Sequence, residues 1–320
     1  MTIDFAYPTQ RFALRLMPVA AFALLLTACE LAEIVVAFPT DIVVAEVILR
    51  ADAPVQTAYL HRTTSELGSA RVFDARVKVR EQGTGREIVF QAEEDSLCIS
   101  SAVTPPPPSI GTCYVARGQR DMVRAGGVYA LEITLADGDR LTGITTVPGA
   151  FEIVRPALAE CSLAAMTSLE LMWTRSAGAW VYIGETRIPG LIEALGLADP
   201  SIPPGQDAVE LLGLSIGGAD TTLVFPGEFG LFDRFDDELV PVLLAIRDGL
   251  PAGLDAEIVV LAADRNYVNW VRGGTFNPSG TVRLPSVAGG GTGVFGSMVI
   301  RRLNASTAVP AGFGSCSGND

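Results

Sequence analysis

"YALEITLADGDRLTGITTV", residues 129–147, decides the fold class. Leu131, Ile133 and Leu135 alternate with polar or small neighbours, the two-residue period of a half-buried strand. Asp137-Gly138 then interrupts the pattern, and a second alternating run follows. Asp-Gly between two such runs is a strong short-range signal for a hairpin, because glycine accepts the positive φ of a tight turn. The chain is therefore expected to be built from antiparallel strands.

Upstream text agrees. "DIVVAEVIL" from Asp41 and "QTAYLHRT" read as strands, and in "DARVKVRE" Ala75, Val77 and Val79 alternate with Arg76, Lys78 and Arg80. "GTGREIVF" supplies a glycine turn and a return strand. Several short strands in about 110 residues predict an immunoglobulin-like or transthyretin-like β-sandwich over residues 41–150. A Pro-bearing passage, "VPGAFEIVRPALAEC", reads as the junction to a second β-rich domain, 151–320. There "LELMWTRSAGAWVYI" predicts two strands around a short turn, with Trp173 and Tyr182 in the core. "DRFDDELVPVLLAIRDG" predicts a helix with Pro241 in its first turn and Leu239, Val242, Leu243 and Ile246 on one face. "EIVVLAA" reads as a buried strand and "DRNYVNWVRGG" as a short helix with Tyr267, Trp270 and Val271 on one side. The 33 Gly and 20 Pro fit a mainly β chain with many turns.

The front of the chain has a different character. Arg11 and Arg15 precede an apolar run, residues 16–26, which ends in Leu26-Thr27-Ala28-Cys29. A basic n-region, a short apolar stretch and small residues describe a secretory signal, shorter than the roughly 20 apolar residues a spanning helix needs. Cys29 after Leu-Thr-Ala matches a bacterial lipobox, so residues 1–28 are expected to be removed and Cys29 acylated. Residues 29–40 then form a tether to the first strand. Glu30, where an Asp would favour retention at the inner membrane, permits delivery to the outer membrane. The formal charge of −13 argues against nucleic acid as partner and against adhesion to anionic lipid by charge.

Five cysteines make an odd count, which acylation of Cys29 resolves. The other four allow three pairings; Cys98–Cys113 and Cys161–Cys316 are expected, because each then lies within one proposed domain. No C-x-x-C spacing occurs and His61 is the sole histidine, so zinc is not expected. His61 lies on a strand, and no G-x-S-x-G elbow accompanies it. Asp233, Asp236, Asp237 and Glu238 crowd the start of a predicted helix, where carboxylates meet its dipole favourably. The prolines Pro105, Pro106, Pro107 and Pro108, between Cys98 and Cys113, predict a stiff arm able to meet a partner. Phe225, Phe229 and Phe232 in "FPGEFGLF" are a second candidate partner surface.

"GTGVFG", residues 291–296, fits the G-x-G-x-x-G pattern of dinucleotide sites. The β-type run Met298, Val299, Ile300 follows it where a helix should open, and no Lys completes a P-loop, so no nucleotide or other cofactor is expected. The wider stretch "GGGTGVFGS" resembles instead the closing motif of a family of uncharacterised outer-membrane lipoproteins in Gram-negative bacteria rich in TonB-dependent receptors, of the Bacteroidota type. "DIVVAEVILRADAPVQTAYLHRT", "GGVYALEITLADGDRLTGITTVP" and "NYVNWVR" are similar to that family as well. The resemblance implies an outer-membrane lipoprotein with a β-sandwich front domain, a domain of unknown function often encoded beside a TonB-dependent receptor. It carries over no catalytic residues, and it makes residues 289–296 a tight backbone passage between strands. The expected function is a non-enzymatic binding or accessory module held in the membrane by its N-terminal lipid, with a TonB-dependent receptor as candidate partner. The alternatives are a secreted carboxylate-dependent hydrolase and a structural or adhesive envelope protein.

Overall fold

A computed structural model describes residues 41–63, 71–93, 98, 111–197, 208–215, 217–230, 239–272, 284–308 and 313–317. The expected hairpin forms from β7 (Val128–Thr134) and β8 (Arg140–Thr146), in register from Val128↔Thr146 to Thr134↔Arg140. Tyr129, Leu131 and Ile133 point inward and are buried, and Gly138 takes φ 92° in the turn. The Asp137 carboxylate accepts the Asp139 N–H at 3.0 Å, which fixes the turn locally. β3 (Arg76–Glu81) and β4 (Glu87–Val89) extend the hairpin on one side and β16 (Val287–Gly289) on the other, giving a five-stranded sheet ordered β16-β8-β7-β3-β4.

The facing sheet has nine strands. Its front half holds β1 (Val43–Arg50), β2 (Val55–Arg62), β6 (Thr112–Arg117) and β5 (Gln91–Glu93). Its rear half holds β13 (Val209–Leu214), β12 (Val181–Ile188) and β15 (Asp255–Ala263), with β10 (Glu160–Ser162) at the side. One strand, β17 (Gly291–Ser306), joins the halves. Its first eight residues run parallel to β1, and from Met298 onward it pairs antiparallel with β15. A third sheet, β14-β11-β9, comprises β9 (Ile153–Arg155), β11 (Leu169–Trp173) and β14 (Thr222–Phe225). Three α-helices lie among the described residues: α1 (Leu191–Ala194), α2 (Val240–Ile246) and α3 (Arg265–Arg272).

The protein is thus mainly β, with sheets packed over a shared apolar core. Three details differ from the sequence reading. Residues 41–320 form one compact unit, and buried side chains from both sides of residue 150 belong to one core, so that position does not divide two bodies. Nor do residues 291–296 pass between strands: they open the longest strand among the described residues. Their glycines are required all the same. Gly293 has φ 135°, and a Cβ there would strike the backbone of Ala45 on the adjoining β1. The strands expected around Trp173 and Tyr182 both form but do not pair. β11 and β12 lie in different sheets, and their rings meet across the core at 5.1 Å.

Candidate functional site

The disulfides Cys98–Cys113 and Cys161–Cys316 form as expected. The first stands at the base of the Pro-rich segment. There the Gly111 N–H donates to the Tyr59 hydroxyl at 2.6 Å, and a Cβ on Gly111 would overlap the Tyr59 ring. Glycine is therefore what lets the chain lie flat on that ring before entering β6. Pro105, Pro106, Pro107 and Pro108 themselves lie outside the described residues, as do Cys29, Phe232, Asp233, Asp236, Asp237 and Glu238.

Phe225 and Phe229 do not form a surface. They are 0% and 3% exposed and stack edge to face at 5.4 Å. The reason is on the neighbouring strands: Gly184 in β12 leaves the space that the Phe229 ring fills, and the ring lies in ordinary contact range of Gly213 in β13. "FPGEFGLF" thus spends its described aromatics on the core. His61 is half-buried on β2, with Nε2 3.9 Å from the Glu46 carboxylate and its ring 5.7 Å from Tyr59.

Two acidic groups that the sequence did not single out stand in unusual surroundings. Asp264 is 5% exposed and caps α3, its Oδ1 accepting the Tyr267 N–H at 2.9 Å. Its Oδ2 accepts the Thr145 hydroxyl at 2.6 Å, and Thr145 in turn lies 2.9 Å from the Ser297 hydroxyl. Burial raises the Asp264 carboxyl above the ordinary range, and those hydrogen bonds work against the rise. Asn266 adds two bonds, donating to the Ile144 and Phe295 carbonyls. The network ties β8, β17 and α3 together where the five-stranded sheet meets β17. It holds a helix in place, and every contact named is to a structural partner.

Glu185 lies on the outer face of β12, between Leu212 of β13 and Val259 of β15. Burial there pushes its carboxyl up to about 7, opposed by Arg50 and Arg302 and reinforced by Glu210. Around it Val181, Ile183, Leu261 and Met298 form a second apolar cluster, against which Tyr267 and Val268 of α3 pack. Burial, and then the Glu185 charge, raise the Tyr267 phenol as well. An open groove of about 320 Å³ lies farther along the same sheet, lined by Glu160, Arg187, Asp255, Glu257, Phe313 and the Cys161 end of the second disulfide. Arg302 reaches Glu257 at 3.2 Å and Arg187 reaches Glu210 at 3.6 Å, so part of the charge on this face is met internally. Among the described residues no three His, Cys, Asp or Glu side chains are grouped to hold a metal ion, and no helix is long and apolar enough to cross a membrane.

No family model and no curated protein matches the chain. Among solved structures it is similar to trypsin-activated alpha-2-macroglobulin from Escherichia coli, at 9% identity and a TM-score of 0.21, covering 87% of this chain and 17% of that one. It is similar also to the FN1-FN3 domains of chicken CNTN1, at 12% identity and a TM-score of 0.22, covering 70% and 60%. The IG1 and IG2 domains of DIP-gamma align at 8% identity and a TM-score of 0.18, covering 82% and 97%. The chain therefore spans a small part of the macroglobulin and less than two thirds of the CNTN1 fragment. Likenesses this distant carry no inference about what the protein does.

Proposed function

We propose that the protein is an outer-membrane lipoprotein, held by acyl chains on Cys29, that acts as a non-enzymatic binding or accessory module. Leu26-Thr27-Ala28-Cys29 after a short apolar run supports the anchor, and several acyl chains at about 0.8 kcal/mol per buried methylene make it durable. The observation that carries the binding role is the pinned base of the Pro-rich segment. Cys98–Cys113 closes it, and the Tyr59–Gly111 hydrogen bond seats its end against the sheet. Four consecutive prolines between fixed ends have little conformational freedom to lose on meeting a partner. The resemblance of the sequence to lipoproteins encoded beside TonB-dependent receptors makes such a receptor the partner proposed.

The test is recovery of the acylated protein from its own outer membrane, with mass spectrometry of what accompanies it. A TonB-dependent receptor is expected in the wild-type sample and is expected to be lost when the prolines at 105–108 are replaced by a Gly/Ser run of equal length. Recovery of the acylated protein without a receptor would overturn the accessory role while leaving the anchor in place.

A further inference from the structure

We infer that the end of the sandwich bearing Ile42 and Phe73 rests on the lipid surface, making a second membrane contact beside the acyl anchor. This inference rests on the lipoprotein reading above.

Strand directions define that end. β1 starts there at Val43, opposite Arg62 at the close of β2 and Gly291 at the start of β17. The β7–β8 turn lies at the same end, since Leu141 of β8 packs near Gly291 and a Cβ on Gly289 would strike Arg140. β3 starts there too, with Arg76 opposite Thr134. The chain from Cys29 enters the fold at Asp41, so this end is the one nearest the anchor along the chain. Fully stretched, residues 29–40 reach at most ~40 Å, while β17 alone runs about 50 Å to the opposite side. The tether therefore lets the entry end touch the bilayer, and it holds that end near the lipid at high effective concentration.

The side chains at this end suit a membrane interface. Phe73 is 54% exposed, a large ring facing water in a loop, and Ile42 is 36% exposed. The Arg71 guanidinium stands 5.9 Å from the centre of the Phe73 ring, held to the strand end by the His61↔Arg71 bridge. A Phe ring beside a guanidinium suits the boundary between acyl chains and headgroups, where interfacial elements bury Phe, Trp and Leu and keep Lys and Arg on the polar side. General charge attraction contributes little. Among the described residues, Arg62, Arg71, Arg76 and Arg140 are balanced at this end by Asp41, Asp74, Asp137 and Asp139, and Arg62 is already bound to Asp41 at 3.0 Å. The contact is a local one made by a ring, with the acyl chains supplying most of the affinity.

The experiment uses the full acylated protein in vesicles of phosphatidylethanolamine and phosphatidylglycerol, with and without brominated acyl chains. Phe73→Trp is compared with Val154→Trp, an exposed position on β9 beside the rear half of the sheet. The wild-type spectrum is subtracted from each, which leaves the emission of the introduced indole. Mass spectrometry of the same samples reads the acylation of Cys29. The expected result for Phe73→Trp is a blue shift of that emission on vesicles and its loss when the chains are brominated. Val154→Trp is expected to show neither. Acylated protein whose indole at position 73 is not quenched overturns this contact alone, and a blue shift without quenching overturns it in favour of a protein cover. An unmodified Cys29 overturns the lipoprotein reading and this contact together.

Discussion

Glu185→Gln should make the protein more stable at pH 8 and leave its stability nearly unchanged at pH 4. The carboxylate lies between Leu212 and Val259 on the outer face of the nine-stranded sheet, and burial lifts its pKa from an ordinary 4.5 to about 7. The folded protein therefore holds this proton more tightly than the unfolded chain does. The stability contributed by the protonated form is complete below pH 4.5 and is lost as pH rises through 7. At 1.36 kcal/mol for each tenfold change in proton affinity, the loss amounts to ~3 kcal/mol. Gln keeps the shape and the polar end without the charge, so the variant escapes that loss. Urea unfolding of both proteins, disulfides intact, at half-unit steps from pH 4 to 8 supplies the curve. The stability difference should start near zero and climb to its plateau above pH 7. A difference that stays flat across the range would refute the claim that this carboxyl is desolvated by its strand neighbours.

Gly293→Ala should destabilise by about 2–4 kcal/mol, through positive-φ strain and the clash with Ala45, whereas Gly138→Ala, at a turn with open space, should cost about 1 kcal/mol. Thermal melts of the two variants would show that order or deny it. Asp264→Ala should cost about 2–3 kcal/mol by removing the cap of α3, leaving the Tyr267 N–H without its acceptor and turning the Thr145 hydroxyl to Ser297 alone. Amide exchange at Tyr267 and Val268 should quicken more than exchange in β7, and equal acceleration would rule out a local cap. Phe229→Ala should lose about 3–5 kcal/mol of stability as a core truncation, read from the denaturation midpoint. A variant of unchanged stability would return Phe229 to the surface.

Much of the strand pattern was legible because its signals are local. Asp137-Gly138 between alternating runs has few ways to fold other than as a hairpin, and the buried positions Leu131 and Ile133 are those that the alternation marks. The division into two domains failed because the joining element is non-local. β17 is read in sequence as a glycine cluster followed by an apolar strand. Only the parallel pairing of Val43 with Gly291, nearly the whole chain apart, shows that the C-terminal strand completes the front sheet. β11 and β12 mislead for a related reason. Two strands separated by a short polar turn normally pair, but here the chain crosses the core between them, and the Trp173–Tyr182 contact replaces the hairpin ladder.

The site residues divide along the same line. The disulfide pairing formed as expected although its premise did not hold: one pair per domain was the reason for it, and residues 41–320 form one unit. The Phe225 and Phe229 reading failed because exposure depends on what faces a ring. The hollow that receives Phe229 is made by the missing side chain of Gly184, which carries no apolar signal of its own. Glu185 was missed for the opposite reason: in "VYIGETRI" it alternates like any solvent-facing strand residue. Its surroundings come from β13, β15 and α3, whose sequence positions bear no relation to its own. Asp264 was the more accessible case. It directly precedes the periodic run of α3 and accepts the amide three residues on, the ordinary signature of an N-cap. Its second partner, Thr145, lies 119 residues away. The cap could be read from sequence, whereas the burial that raises its carboxyl could not, because burial is a property of the packed sheets.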